Sequence, residues 1–190
     1  MKVVLIGDKC VGKTSILKSF VSNKFNSGLS STIGFNYVSK NVEIKENKCF
    51  IKLNIWDTAG EEKFKSITKQ YFKDANSIIL VYDITNMDSF KSIDYWFSII
   101  QETKSPSCLL FLVGNKSDML EKEAVHIDLG KTKALEMDSN FILTSAKENI
   151  GIQELFFLNA NTYYEYITRL PLIESIDDWH RIVFYNSEYN

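Results

Sequence analysis

The stretch Lys2-Val3-Val4-Leu5-Ile6-Gly7-Asp8-Lys9-Cys10-Val11-Gly12-Lys13-Thr14-Ser15 decides the fold. Its first half is an apolar run of strand length, and its second half carries the spacing GxxxxGK[ST]. A strand entering a glycine-rich turn that opens a helix lets backbone N–H groups converge on phosphate oxygens, at a helix end whose dipole favours anions. In that arrangement Lys13 supplies a point charge to the β and γ phosphates of a nucleotide, and Thr14 offers its hydroxyl to Mg2+. Four specified positions match by chance in roughly a per cent or less of chains this long. The strand before and the helix after lower that further.

Working outward, apolar runs recur at residues 50–56, 77–83, 109–114 and 140–144, with helix-like segments between most of them. That alternation predicts a parallel α/β sheet. Residues 37–45 alternate Val38, Val42 and Ile44 with polar side chains, and Glu46-Asn47-Lys48 turns into the next run, which predicts an antiparallel hairpin. Phe90, Ile93, Trp96, Phe97 and Ile100 place one apolar face on a helix over 86–103, and Leu155, Phe156, Leu158, Tyr163 and Tyr166 do so over 152–166.

The whole chain of 190 residues fits one domain, and 45% hydrophobic residues suffice for its core. With 22 basic and 24 acidic side chains the net charge is −2, without the basic excess of a general nucleic-acid binder. Cys10, Cys49 and Cys108 are odd in number and lack metal or redox spacing, which predicts reduced thiols and a cytoplasmic setting. Neither a signal peptide nor a membrane span is expected from the apolar runs. His126 and His180 stand alone, without ligand spacing.

Two further constellations complete the chemistry. Asp57-Thr58-Ala59-Gly60 follows the apolar strand that ends at Ile55-Trp56. A carboxylate at the carboxyl end of a strand lies at the crevice where open α/β sheets bind ligands, so Asp57 suits the metal shell and the Gly60 N–H suits a terminal phosphate. After the fourth and fifth parallel runs come Asn115-Lys116-Ser117-Asp118 and Ser145-Ala146-Lys147. Guanine presents an N1–H and a 2-amino group that one ionised carboxylate accepts together, which Asp118 can do. The Ala146 N–H suits O6, and the stems of Lys116 and Lys147 suit the faces of the base.

On these residues the chain resembles a Ras-superfamily small GTPase, and within it the Rab branch. The Rab-like segments are Ile33-Gly34-Phe35-Asn36-Tyr37, Lys52-Leu53-Asn54-Ile55-Trp56-Asp57, Phe64-Lys65-Ser66-Ile67-Thr68, Tyr71-Phe72-Lys73-Asp74-Ala75 and Leu80-Val81-Tyr82-Asp83-Ile84-Thr85. The resemblance implies an α/β phosphate-loop NTPase fold over residues 1–170, a small G domain with a six-stranded, mostly parallel sheet and helices on both faces. It implies GTP/GDP and Mg2+ as ligands and effector, exchange-factor and GTPase-activating proteins as partners, in regulating vesicle traffic. Nucleotide contacts would come from Gly7, Lys9, Cys10, Val11, Gly12, Lys13, Thr14 and Ser15, and from Phe25 across the guanine. Thr32 would reach the metal and the γ phosphate when GTP is bound. Lys13, Thr32, Gly60 and the residue at position 61 would act in hydrolysis, and residues 61–71 would reorganise when the γ phosphate leaves. Tyr37, Trp56 and Tyr71 match the aromatic triad that presents the switch state to effectors, or else fill the core beside the switches.

The chain also departs from the pattern. Glu61 stands where the family has a water-orienting glutamine, as in the Ras template. Glutamate keeps the acceptor, loses the donor and adds like charge beside a triphosphate, which predicts slow hydrolysis. The alternatives are ordinary turnover with Glu61 swung out, or a GTP-binding scaffold with negligible hydrolysis. Lys9 would crowd an arginine finger, offset Glu61, or lie in solvent. Residues 171–190 place Leu172, Ile176, Trp179 and Val183 at helical spacing, with one arginine against Glu174, Asp177, Asp178 and Glu188, a net charge of −3. This amphipathic extension would fold back, dock on a partner or a second copy, or lead into further sequence. With Cys108 the last cysteine, no lipid anchor of the family's kind is expected, leaving membrane association to partners or missing sequence.

Overall fold

In the computed structural model the apolar runs and the hairpin become one six-stranded sheet. The structure describes residues 1–22, 35–44, 48–58 and 72–169. The strands are β1 (Lys2–Ile6), β2 (Phe35–Ile44), β3 (Cys49–Thr58), β4 (Ser77–Asp83), β5 (Leu109–Asn115) and β6 (Asn140–Thr144). The helices are α1 (Lys13–Ser22), α2 (Met87–Thr103), α3 (Ile127–Glu136) and α4 (Ile152–Arg169), with a short 3-10 helix at Ser117–Lys122. The hairpin turn, Phe25, Thr32, Gly60, Glu61, Tyr71 and the extension 171–190 fall wholly or partly outside the described residues.

Strand order is β2-β3-β1-β4-β5-β6, parallel throughout except for the β2–β3 pair. β1 and β4 lie inside the sheet and are covered on both faces, so they read as unbroken apolar runs; Val3 to Ile6 and Ser77 to Asp83 are all buried. β2 is an edge strand whose side chains alternate between exposure and partial burial, the pattern of a half-covered antiparallel pair. It extends to Phe35 because Phe35 pairs with Thr58 and Asn36 with Asp57.

Helices cover both faces of the sheet. On one face α1 and α4 bury Ile16, Leu17, Phe20, Leu155, Phe156 and Ala160 against Val3, Leu5, Ile55 and Val81. Phe20 and Phe156 stack with ring centroids 3.9 Å apart. On the other, α2 and α3 bury Ile93, Trp96, Ile100, Ala134 and Met137 against Val4, Ile6, Leu80 and Leu112. Asn86 caps α2, accepting from the N–H groups of Asp88 and Ser89, so the helix begins one residue after the polar residue that opened the apolar pattern.

This topology brings the carboxyl ends of the parallel strands to one edge, where ligands bind in open α/β sheets. There Asp83, Asn115 and Thr144 lie in one row across β4, β5 and β6.

Candidate functional site

The phosphate-loop residues leave β1 through Gly7, whose backbone sits at φ +132°, where a Cβ would lie 2.2 Å from the Val81 carbonyl oxygen. Gly12, at φ +102°, is packed as closely against the side-chain amide of Asn115. These two glycines let the turn lie against β4 and β5. Cys10 occupies the left-handed region at φ 64° with an exposed side chain, a conformation that favours glycine. Lys9 is exposed, Val11 is buried, and Ser15 is half-buried on α1.

Lys13, only 5% exposed, opens α1 and folds back over the turn. Its ammonium donates to the Gly7 carbonyl at 2.8 Å and to the Asp8 carbonyl at 2.6 Å. Burial lowers its pKa to about 8, against the pull of the nearby Asp57, Asp8 and Cys10 charges. A bound anion would favour the charged form.

Beside it Thr14 donates its hydroxyl to Asp57 Oδ2 at 2.6 Å, and Asn36 Nδ2 donates to the same oxygen at 3.1 Å. Asp57 is fully buried at the end of β3, and its Oδ1 has no hydrogen-bond partner among the described residues. Burial raises its pKa, opposed by those hydrogen bonds and by Lys13 and Lys18. A buried carboxylate oxygen awaiting a partner, next to a hydroxyl, is a hard-oxygen donor set suited to Mg2+. Among the described residues no group of three or more His, Cys, Asp or Glu could hold an ion. Mg2+ commonly keeps waters and phosphate oxygens in its shell beside one or two protein oxygens.

The two base-site segments meet through Asn115. Its amide donates to the Val11 carbonyl at 2.8 Å, while its oxygen accepts from the Thr144 hydroxyl at 3.0 Å and the Ala146 N–H at 3.3 Å. Asn115 thus clamps the phosphate loop to both base loops, a structural task beyond the sequence expectation. Ser145 donates its hydroxyl to Asp118 Oδ1 at 2.6 Å and accepts from the Glu148 N–H at 3.0 Å. The Lys147 ammonium lies 3.7 Å from Asp118 Oδ2. Lys116 sits in the left-handed region at φ 69°. Its ammonium pairs at 2.5 Å with Asp83 Oδ2, while Asp83 Oδ1 accepts from the backbone and hydroxyl of Thr85.

Asp83 and Trp96 were not singled out as site residues in the sequence. The signal for Asp83 was present, since it ends an apolar strand as Asp57 does. Trp96 donates its indole N–H to Asp8 Oδ1 at 2.8 Å across 88 residues of chain, and no local pattern announces that. Farther along the edge, Tyr37 and Phe35 each lie 5.1 Å between ring centroids from Trp56, with Tyr37 half exposed. Tyr37 donates its hydroxyl to Asn54 Oδ1 at 2.9 Å.

A doubly wound sheet with a glycine-turned loop, a buried lysine and a helix start at its carboxyl edge defines the phosphate-loop nucleotide-binding proteins. Within that class, the model of the Ras family matches residues 2–165. The chain is 44% identical to Ras-related protein Rab-1C of Dictyostelium discoideum over 161 residues, 85% of this chain and 79% of that protein. It is 43% identical to Ras-related protein SEC4 of Saccharomyces cerevisiae over 173 residues, 91% and 79% of the two chains. Against Ras-related protein Rab-8A of Rattus norvegicus it is 43% identical over 159 residues, 84% and 76%. The chain belongs to the Ras family and is Rab-like: a small GTPase, binding guanine nucleotide as a switch in vesicle traffic. Among the described residues no helix is long and apolar enough to cross a membrane.

Proposed function

We propose that this switch hydrolyses GTP slowly and therefore dwells in its GTP state until another protein assists. The observation that carries the placement of the phosphates is the convergence of Lys13, Thr14 and Asp57 where β1, α1 and β3 meet, with one buried Asp57 oxygen left without a partner. Gly7 through Ser15, with Lys9, Cys10, Val11 and Gly12 supplying backbone, wrap the phosphates, and Lys13 faces the β and γ groups. Thr14, Asp57 and Thr32 would hold Mg2+, which when bound would supply charge neutralisation at the phosphates. Asp118 accepts from the guanine N1–H and 2-amino group, Ser145 orients Asp118, Ala146 meets O6, and Lys116, Lys147 and Phe25 flank the base. Asn115 holds these loops in register.

Gly60 meets the γ phosphate, and Glu61 sets the rate. A carboxylate there accepts a hydrogen bond from water but cannot donate one to the phosphoryl oxygens, and its charge opposes the charge of the reacting group. Effectors, exchange factors and activating proteins read the switches through Tyr37, Trp56 and Tyr71, in the cytoplasm. Residues 1–170 form the G domain, and the apolar face of the amphipathic extension 171–190 would fold back on that domain, dock on a partner or a second copy, or lead into further sequence. Glu61 also favours a second reading, a GTP-binding scaffold with negligible turnover.

Single-turnover hydrolysis of GTP loaded with Mg2+, run beside Glu61→Gln, tests the proposal. The Gln variant should be about tenfold faster or more, the scale of one transition-state hydrogen bond. Equal rates would sink the role of Glu61. An undetectable rate in the native chain, with turnover gained by the variant, would select the scaffold reading.

A further inference from the structure

We infer that Trp96, on α2, is a positioning residue of the phosphate site: its indole N–H holds the Asp8 carboxylate toward α2 and away from the bound phosphates. The inference rests on the phosphate site proposed above and concerns a residue that reaches that site through Asp8.

Asp8 is the first residue after the glycine that follows β1, and it has two ties. Its backbone carbonyl accepts from the Lys13 ammonium at 2.6 Å, and its side-chain Oδ1 accepts from Trp96 Nε1 at 2.8 Å. The acidic side chain is thus one residue's length from the cation that faces the phosphates. Its charge acts on Lys13 across that distance. A carboxylate free to rotate there has two poor choices: it can pair with Lys13 and compete with the phosphates for the cation, or it can face the phosphates and repel them. Trp96 offers a third.

The donor itself is firmly held. Trp96 is 4% exposed and packs among Val4, Ile6, Ile93 and Ile100, between α2 and the sheet, with Tyr95 edge-on to its ring. Asn86 fixes the start of the same helix through the N–H groups of Asp88 and Ser89, so the indole projects from a capped element rather than a loop. A hydrogen bond from a neutral donor to an ionised acceptor, partly withdrawn from water, is among the stronger side-chain ties. The arrangement therefore orients a negative charge at no loss of the carbonyl that Lys13 needs.

Charge distinguishes this role from packing. GTP carries more negative charge than GDP, so a misdirected carboxylate penalises GTP more, whereas a loosened core affects both alike. The test measures dissociation of fluorescent GDP and of a non-hydrolysable GTP analogue, with Mg2+, from the full chain and from Trp96→Phe, Asp8→Asn and the double variant. Trp96→Phe should release GDP about tenfold faster and the triphosphate faster still, on the scale of one charged hydrogen bond. Adding Asp8→Asn to Trp96→Phe should restore the native ratio of the two rates. Release within twofold of native in Trp96→Phe, or a triphosphate bias that survives Asp8→Asn, would overturn the inference. Should Trp96→Phe fail to fold, Asp8→Ala removes the acceptor and leaves the core intact. It also removes the charge that Trp96 restrains, so both nucleotides should leave within about twofold of the native rates and at the native ratio, and a triphosphate bias in it would overturn the inference.

Discussion

Asp83 is the residue whose environment says most about how the candidate base site is held. Its carboxylate is almost enclosed at the end of β4, and both of its oxygens are used, one by Thr85 and one by the Lys116 ammonium at 2.5 Å. Lys116 sits in a backbone region that costs a residue with a Cβ roughly 1–2 kcal/mol, so a partner that holds its side chain also holds that strained turn. Asp83→Asn should keep an acceptor for Thr85 while losing the ion pair, and Asp83→Ala should lose both. We expect GDP release to accelerate about fivefold in the first and tenfold or more in the second, measured by loss of fluorescent nucleotide. Unchanged release in both would confine the pair to folding. The candidate phosphate and base loops stand out in the sequence because each is a contiguous run with its own internal spacing. Asp83 and Trp96 do not, because each acts through a partner that only the sheet brings near.

At the scale of elements, legibility followed burial. β1, β4 and β5 announced themselves because their residues are covered on both faces, and α2 because Asn86 caps a helix with a clear apolar stripe. α3 carried no such signal. It buries only Gly130 and Ala134, while Leu129 and Leu135 are 47% and 81% exposed, so its leucines lie on the wrong face for a pattern to be read. The reason for a glycine in its middle is contact: a Cβ on Gly130 would come within 2.5 Å of the Tyr82 hydroxyl and 2.6 Å of the Phe141 ring. Two effects oppose each other in Gly130→Ala. Helix propensity favours alanine by about 1 kcal/mol, while overpacking against a buried and a partly buried ring costs about 1–3 kcal/mol. Tyr82 is fully buried and cannot swing away, so overpacking wins and the variant should lose about 1 kcal/mol or more by urea unfolding. The Tyr82 hydroxyl has no hydrogen-bond partner among the described residues, so Tyr82→Phe should partly rescue Gly130→Ala and cost little alone. A rescue that fails would place the clash on Phe141.

For the molecule as a whole, the apolar layers on either side of the sheet determine how stability responds to base. Cys108 is buried where α2 hands over to β5, and burial raises its thiol pKa to about 11, with Lys104 pulling slightly the other way. Burial raises Tyr82 as well, above the ordinary phenol range. In both cases the folded chain keeps a proton that the unfolded chain gives up at lower pH. Stability is then fully present below the ordinary thiol pKa and falls as pH rises toward the folded value. Lys13 works in the opposite sense. Burial lowers its pKa to about 8, so between that value and the ordinary lysine range the unfolded chain holds the extra proton, and rising pH favours folding. The net curve of the native chain therefore mixes opposed slopes, and a single scan would misattribute them. Comparing native protein with Cys108→Ala at each pH separates them, because Lys13 and Tyr82 titrate in both. The stability advantage of the native chain should shrink by about 1 kcal/mol for each pH unit from about 9 to about 11, read from urea midpoints at constant ionic strength. A difference that stays flat across that range would mean that the folded thiol titrates as it does in the unfolded chain, and that the layer between α2 and β5 admits water.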